Sequence, residues 1–179
     1  TTTQLGSLQP ADVEALASAQ LRALTTTQIA SLSFIPLVGN TSTLDALTTE
    51  QWAALRTSQI RTLDAAVIGA LNSNEIPALT TAQVAALSTT QLDAWGDIER
   101  AYLGTSQVAA LTSTQLRSLD TAELAALTTT QFAALRTSQL ATLTTTQVAN
   151  LETSDLAVLS TAQIRAFTSA QVAAMTSSA

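Results

Sequence analysis

Two apolar positions recur in each block of eight residues along nearly the whole chain, and the polar residues are arranged around them. In Thr128–Leu135, lettered a to h, the apolar positions are e (Phe132) and h (Leu135). The frame runs from Thr1 to Leu32, drops one residue within residues 33–39, and resumes at Asn40 to reach Met175. That makes about 22 octads, and such a period sets the architecture before any other feature is considered. Position h is Leu in most octads, with Trp95, Phe167 and Met175 as substitutes and Gly39 as the exception. Position e is apolar (Leu5, Val13, Ile60, Val84, Ile164) except at Arg100. Position d is mostly Gln, replaced by acids at Asp12, Glu75, Glu123 and Asp155. Thr and Ser dominate a to c and Ala dominates f and g. Both Arg22 and Asp93 occupy f, which marks it as a solvent column.

Positions e and h are three apart and share one face of a helix. From h to the next e is five residues, so a continuous helix would turn its apolar stripe by roughly 80° per octad. A single long helix would soon be apolar on every side, and coiled coils use periods of seven or eleven. A strand fails as well, because residues three apart point to opposite faces. The remaining solution is one short helix per octad. Thr at a and Gln at d have the capping-box spacing, and the preceding h with the following e forms a hydrophobic staple. Pro10 falls at the first helical position, where proline is tolerated. At Arg56, Arg136 and Glu152 position a is a poor cap, and the Thr at b is an alternative.

Helices of one or two turns are not stable alone. The expected fold is therefore all-α: a solenoid, or superhelical rod, of short capped helices with a Leu/Ile/Val spine. Two octads per turn is the expectation by analogy with helix-pair solenoids. The chain reads as one repeat domain over 1–179. Octads fill 1–32, an irregular break spans 33–39, and octads return over 40–87. An irregular stretch with a longer helix, from about Thr89 to Leu103, covers 88–104, octads fill 105–175, and 176–179 is a tail.

The two irregular stretches hold the candidate partner-binding residues. In 33–39 these are Phe34 and Ile35, either in a turn that absorbs the frame shift or in an exposed partner-binding loop. Asn40-Thr41-Ser42 matches a glycosylation sequon. In 88–104 they are Trp95, Asp97, Glu99, Arg100 and Tyr102. One reading is local repacking in which Arg100 pairs with Asp97 or Glu99. The other is a recognition patch, with aromatics beside Arg as anchors.

Composition narrows the function. All seven basic residues are Arg, and His and Cys are absent. No side chain is therefore present to activate the many hydroxyls as His, Lys or Cys would, and zinc loses its usual ligands. The acid pairs Asp120/Glu123 and Glu152/Asp155 sit at a and d, where they read as helix caps. No Gly-rich phosphate loop occurs. The expectation is no enzyme activity, no cofactor and no metal. A net charge of −6 and 3% aromatics argue against nucleic acid. No apolar run reaches membrane-spanning length, so no membrane insertion is expected. The chain begins in mid-repeat and reads as a piece of a longer protein.

The octad Thr-Thr-x-Gln-φ-x-x-Leu, as in Thr80–Leu87 and Thr144–Leu151, resembles the low-complexity tandem tracts of large bacterial surface or secreted proteins, including repeat-rich adhesins. The resemblance implies an extracellular or cell-surface spacer or an adhesive role. The function expected is a non-enzymatic structural or interaction module, with a protein or surface partner and a monomer or weak end-to-end oligomer. The alternative is ice- or crystal-surface binding through a regular Thr array.

Overall fold

The computed structural model describes residues 1–9, 11–12, 15–32 and 47–176. The break at 33–39, with Phe34 and Ile35, and the sequon at Asn40 lie outside the described residues. Among the described residues there are nineteen short helices and no strand. The chain divides into two compact units, Thr1–Trp95 and Gly96–Ala179.

The first unit contains α1 (Thr2–Gly6), α2 (Ser18–Arg22), α3 (Thr26–Ser31), α4 (Thr49–Ala54), α5 (Thr57–Thr62), α6 (Ala65–Gly69), α7 (Glu75–Ala78), α8 (Thr81–Ala86) and α9 (Thr89–Asp93). The second contains α10 (Asp97–Ala101), α11 (Thr105–Ala110), α12 (Ser113–Ser118), α13 (Thr121–Ala125) and α14 (Thr129–Ala133). It continues with α15 (Thr137–Leu140), α16 (Thr145–Ala149), α17 (Thr153–Ala157), α18 (Thr161–Ile164) and α19 (Ser169–Thr176).

The helices start where the octad predicts, except α7, which begins at Glu75 with Asn74 as its N-cap. Thr80 at position a is in extended backbone; its hydroxyl accepts from Gln83 N (3.2 Å), and Gln83 Oε1 accepts from Thr80 N (2.6 Å). The same reciprocal pair occurs at Thr128 with Gln131 and at Thr144 with Gln147. Asp120 and Glu123 build it from two carboxylates. Where position a has no capping oxygen, half the box survives: Arg56 N still donates to Gln59 Oε1 (2.7 Å). The helix there begins at Thr57, so Thr57 at b is not the cap. The b hydroxyls stay outside the capping scheme, and most face solvent.

The h residue closes most octads, its N–H donating to the e carbonyl three residues earlier, as Leu87 N does to Val84 O (3.2 Å); it is the C-cap of α8, whereas α15 is already capped by Ala141. The h residue then turns extended and leads into the next cap. Hydroxyls at g satisfy a further carbonyl at the helix end, such as Thr142 Oγ1 on Gln139 O (2.7 Å). This matters because the last carbonyls of a helix have no partner within it.

Positions e and h form the core of each unit. In the first, Ile29, Trp52, Ile60, Ile68, Ile76 and Val84 are fully buried at e. In the second, Val108, Leu116, Phe132 and Leu140 take that place. Burying each such side chain contributes about 1.5–3 kcal/mol, which stabilises helices too short to persist alone.

The stacking step differs from the helix-pair expectation. Helices pack against those three repeat units away: α5 on α8, α4 on α7 and α6 on α9 in the first unit, and α11 on α14, α13 on α16 and α15 on α18 in the second. The long helix expected between about Thr89 and Leu103 is also absent. α9 and α10 are separate five-residue helices, because Trp95 keeps the h position and Gly96 starts a new helix as its N-cap.

Candidate functional site

The most regular feature of the surface-to-core chemistry is a ladder of buried glutamines at position d. Besides capping its own helix through Oε1, each ladder Gln donates through Nε2 to two backbone carbonyls of an earlier repeat. Gln83 donates to Trp52 O (2.8 Å) and Leu55 O (2.7 Å), and Gln91 to Ile60 O (2.9 Å) and Leu63 O (2.7 Å). In the second unit Gln139 donates to Val108 O (3.1 Å) and Leu111 O (2.8 Å). Gln147 donates to Leu116 O (2.8 Å) and Leu119 O (2.7 Å). The acceptors of these four are the e and h carbonyls, 31 and 28 residues back, whereas Gln163 uses the f carbonyl of Ala133 with the h carbonyl of Leu135.

The spacing counts octad positions and not residues. Gln51 and Gln59 reach back across the seven-residue unit at 33–39. Their acceptors (Leu21 and Leu24, Ile29 and Leu32) lie 30 and 27 residues away, one fewer in each case. One amide thus caps the start of its own helix and the end of an earlier one. Glutamine is the side chain that fits: it offers an acceptor and two donors on one planar group, whereas a carboxylate offers acceptors only. With every polar atom satisfied, burial of the amide carries no unpaired-group penalty.

The ladder is interrupted where d is acidic, and each interruption is handled differently. Glu75 is buried and accepts from Asn72 N (3.0 Å). Glu123 accepts from Asp120 N and pairs with the guanidinium of Arg100. Arg100 occupies an e position and is 3% exposed. Its guanidinium also lies 3.6 Å from Asp97, which is at the surface, and its Nε has no hydrogen-bond partner. Arg100 N donates to Gly96 O, and Arg100 O accepts from Gln131, so its backbone remains in the octad pattern. Asp155 is buried with Oδ2 unpartnered. Its burial, and next the neighbouring Glu152 charge, push its carboxyl above the ordinary value.

The residues singled out from sequence in 88–104 do not form one surface. Trp95 is 1% exposed and its Nε1 donates to Ile68 O (2.7 Å). Trp95 and Arg100 are core residues, and groups sealed from solvent are not available as surface anchors. Glu99 is half-buried and accepts from Gly96 N (3.1 Å). Asp97 and Tyr102 are exposed, with Ile98 beside them. The Arg100–Asp97 pairing agrees with the repacking reading. Its partner Glu123, 23 residues away, was hidden from local reasoning, and its only sequence signal is that two rule-breaking residues occur at d and e.

Short capped helices, a shared e/h core and a repeated side-chain bridge define an all-α tandem-repeat protein. The ALTTAQ repeat model matches residues 1–34, 63–96, 116–153 and 148–179, and the chain belongs to that repeat family. The motif occurs verbatim at 78–83, where it joins one g–h pair to the next a–d and ends on the ladder residue Gln83. No curated protein and no solved structure matches the chain.

Proposed function

We propose that the chain is a structural repeat module that acts as a spacer or binding scaffold within a larger bacterial surface or secreted protein, without catalysis of its own. The observation that carries this reading is the ladder. Each repeat with a ladder Gln, such as those of Gln83, Gln91, Gln139 and Gln147, is tied through its amide to the carbonyls of an earlier one, so length is added by adding octads. On this reading each unit is a solenoid with a Leu/Ile/Val spine. In such a solenoid each helix would pack on the one three octads away, as α5 does on α8 and α11 on α14. The lack of His, Lys and Cys supports a non-enzymatic role. No helix among the described residues is long and apolar enough to cross a membrane.

The modular reading is tested by deletion. Removing the whole octad 136–143 should leave a cooperative helical melt, because the frame and ladder re-form. Removing 136–139 alone should abolish cooperativity. Loss of folding from the whole-octad deletion would count against the module.

A second reading, binding to an ice or crystal lattice, is favoured by one observation. Position a does the capping, which leaves hydroxyls at b, such as Thr81, Thr129 and Thr145, facing solvent. Thermal hysteresis and ice shaping by the pure protein would support it, and their absence would dispose of it.

A further inference from the structure

We propose that the Arg100–Glu123 pair sets the register of the second unit, fixing which octads face one another. The inference rests on the modular reading above and goes beyond it. A chain of near-identical octads has a specificity problem. Sliding one layer past the next by eight residues again puts apolar e and h against apolar e and h, and again puts a Gln at each pair of carbonyls. Ordinary octads therefore do not distinguish the correct pairing from a slipped one.

Arg100 and Glu123 do distinguish them. Arg100 breaks the apolar rule at e and is sealed from solvent. Glu123 breaks the Gln rule at d and is the group that neutralises it from another repeat. Their separation of 23 residues is one short of three octads, which is the step at which α11 packs on α14 and α13 on α16. The exposed Asp97 belongs to the same octad as Arg100, so it follows Arg100 through any slip and selects no register. A slip of one octad would set Arg100 opposite Gln131 or Gln115 and strand the charge in the core. A buried charge without its partner is strongly destabilising, and selecting one register is the best-attested use of such buried pairs. The unpartnered Arg100 Nε is the local cost of keeping this charge inside.

The test is deletion with rescue, read by thermal melting of the full chain. Removing octad 104–111 places Gln131 where Glu123 belongs relative to Arg100; removing octad 136–143 leaves the pair intact. In the wild-type background the first deletion should lower and broaden the melt while the second is tolerated. In the background R100L/E123Q, which restores the ordinary octad at both sites, both deletions should be tolerated alike. Spin labels at Thr105→Cys and Thr129→Cys in the undeleted chain give an independent readout. A single distance is expected in the wild type, and a second population in R100L/E123Q. The two deletions behaving alike in the wild type, a failure of R100L/E123Q to rescue, or an unchanged single distance in that variant would each overturn the proposal. Intolerance of the 136–143 deletion in both backgrounds would instead sink the modular reading beneath it.

Discussion

The side-chain amide of Gln139 lies 2.8 Å from the carbonyl of Leu111, 28 residues earlier, while its Oε1 accepts from Arg136 N at 2.7 Å. One buried group therefore joins the beginning of α15 to the end of α11. The relationship explains why position d tolerates so little variation from Gln. It also separates the two roles of that residue, because a carboxylate can fulfil the capping role and not the bridging one.

Gln139→Glu should therefore lose stability even though the capping-box pattern is kept. The change removes the donor to Val108 and Leu111 and places a negative charge beside two carbonyls. A loss of about 1–3 kcal/mol is expected in urea unfolding. Exposed Gln4, which makes no cross-repeat bond among the described residues, should accept the same change with little effect.

At Asp155 the reverse substitution should stabilise. Asp155→Gln restores the amide and removes the unpartnered Oδ2. It should also remove a pH dependence. Burial, then Glu152, raise the folded-state pKa of Asp155 above its ordinary 3.8, so the native state favours the protonated acid. The unfavourable contribution is absent below the unfolded value and grows as pH rises through the raised folded value. Wild-type stability should therefore fall across the pH range just above 3.8, and the Asp155→Gln chain should lose that component of the fall. Parallel denaturation curves from pH 3 upward check the sign.

Gly69 is required by close packing. A Cβ there would stand 2.8 Å from Ala94 O and 3.2 Å from Ala94 Cβ, where α6 packs on α9. Gly69→Ala should cost about 1–3 kcal/mol through overpacking, despite the better helix propensity of alanine. A lowered melting temperature would show it.

The two tryptophans should respond differently to loss of their indole N–H. Trp95 Nε1 donates to Ile68 O, whereas the buried Trp52 Nε1 has no partner. Both side chains are sealed, so the loss of volume is similar. Trp95→Phe should cost about 1 kcal/mol more than Trp52→Phe, the net worth of an ordinary hydrogen bond. Chemical denaturation of the two variants measures the difference.

Much of the fold was legible because the octad states its own geometry. Thr at a, Gln at d and apolar e and h fixed short capped helices with a shared core, and the structure places Thr80, Gln83, Val84 and Leu87 accordingly. The second role of Gln was not legible. A polar residue three after a cap already has a local explanation, and nothing nearby in sequence marks Leu55 as the acceptor for Gln83. For the same reason the stacking step came out wrong: it is written in bonds spanning 28 and 31 residues, not in the octad. At 88–104 the run of charges and aromatics suggested a longer helix and a surface patch. Trp95 and Arg100 instead keep their h and e places and go inward. Phe34 and Ile35 lie outside the described residues.

The measurement that tests the ladder most directly is hydrogen exchange of the glutamine side-chain amides by NMR. The Nε2 protons of Gln83, Gln91, Gln139 and Gln147, each held by two buried carbonyls, should exchange far more slowly than those of Gln4 and Gln20, which face solvent. Fast exchange at all of these glutamines would contradict the account, because the repeats would then be joined by apolar packing alone.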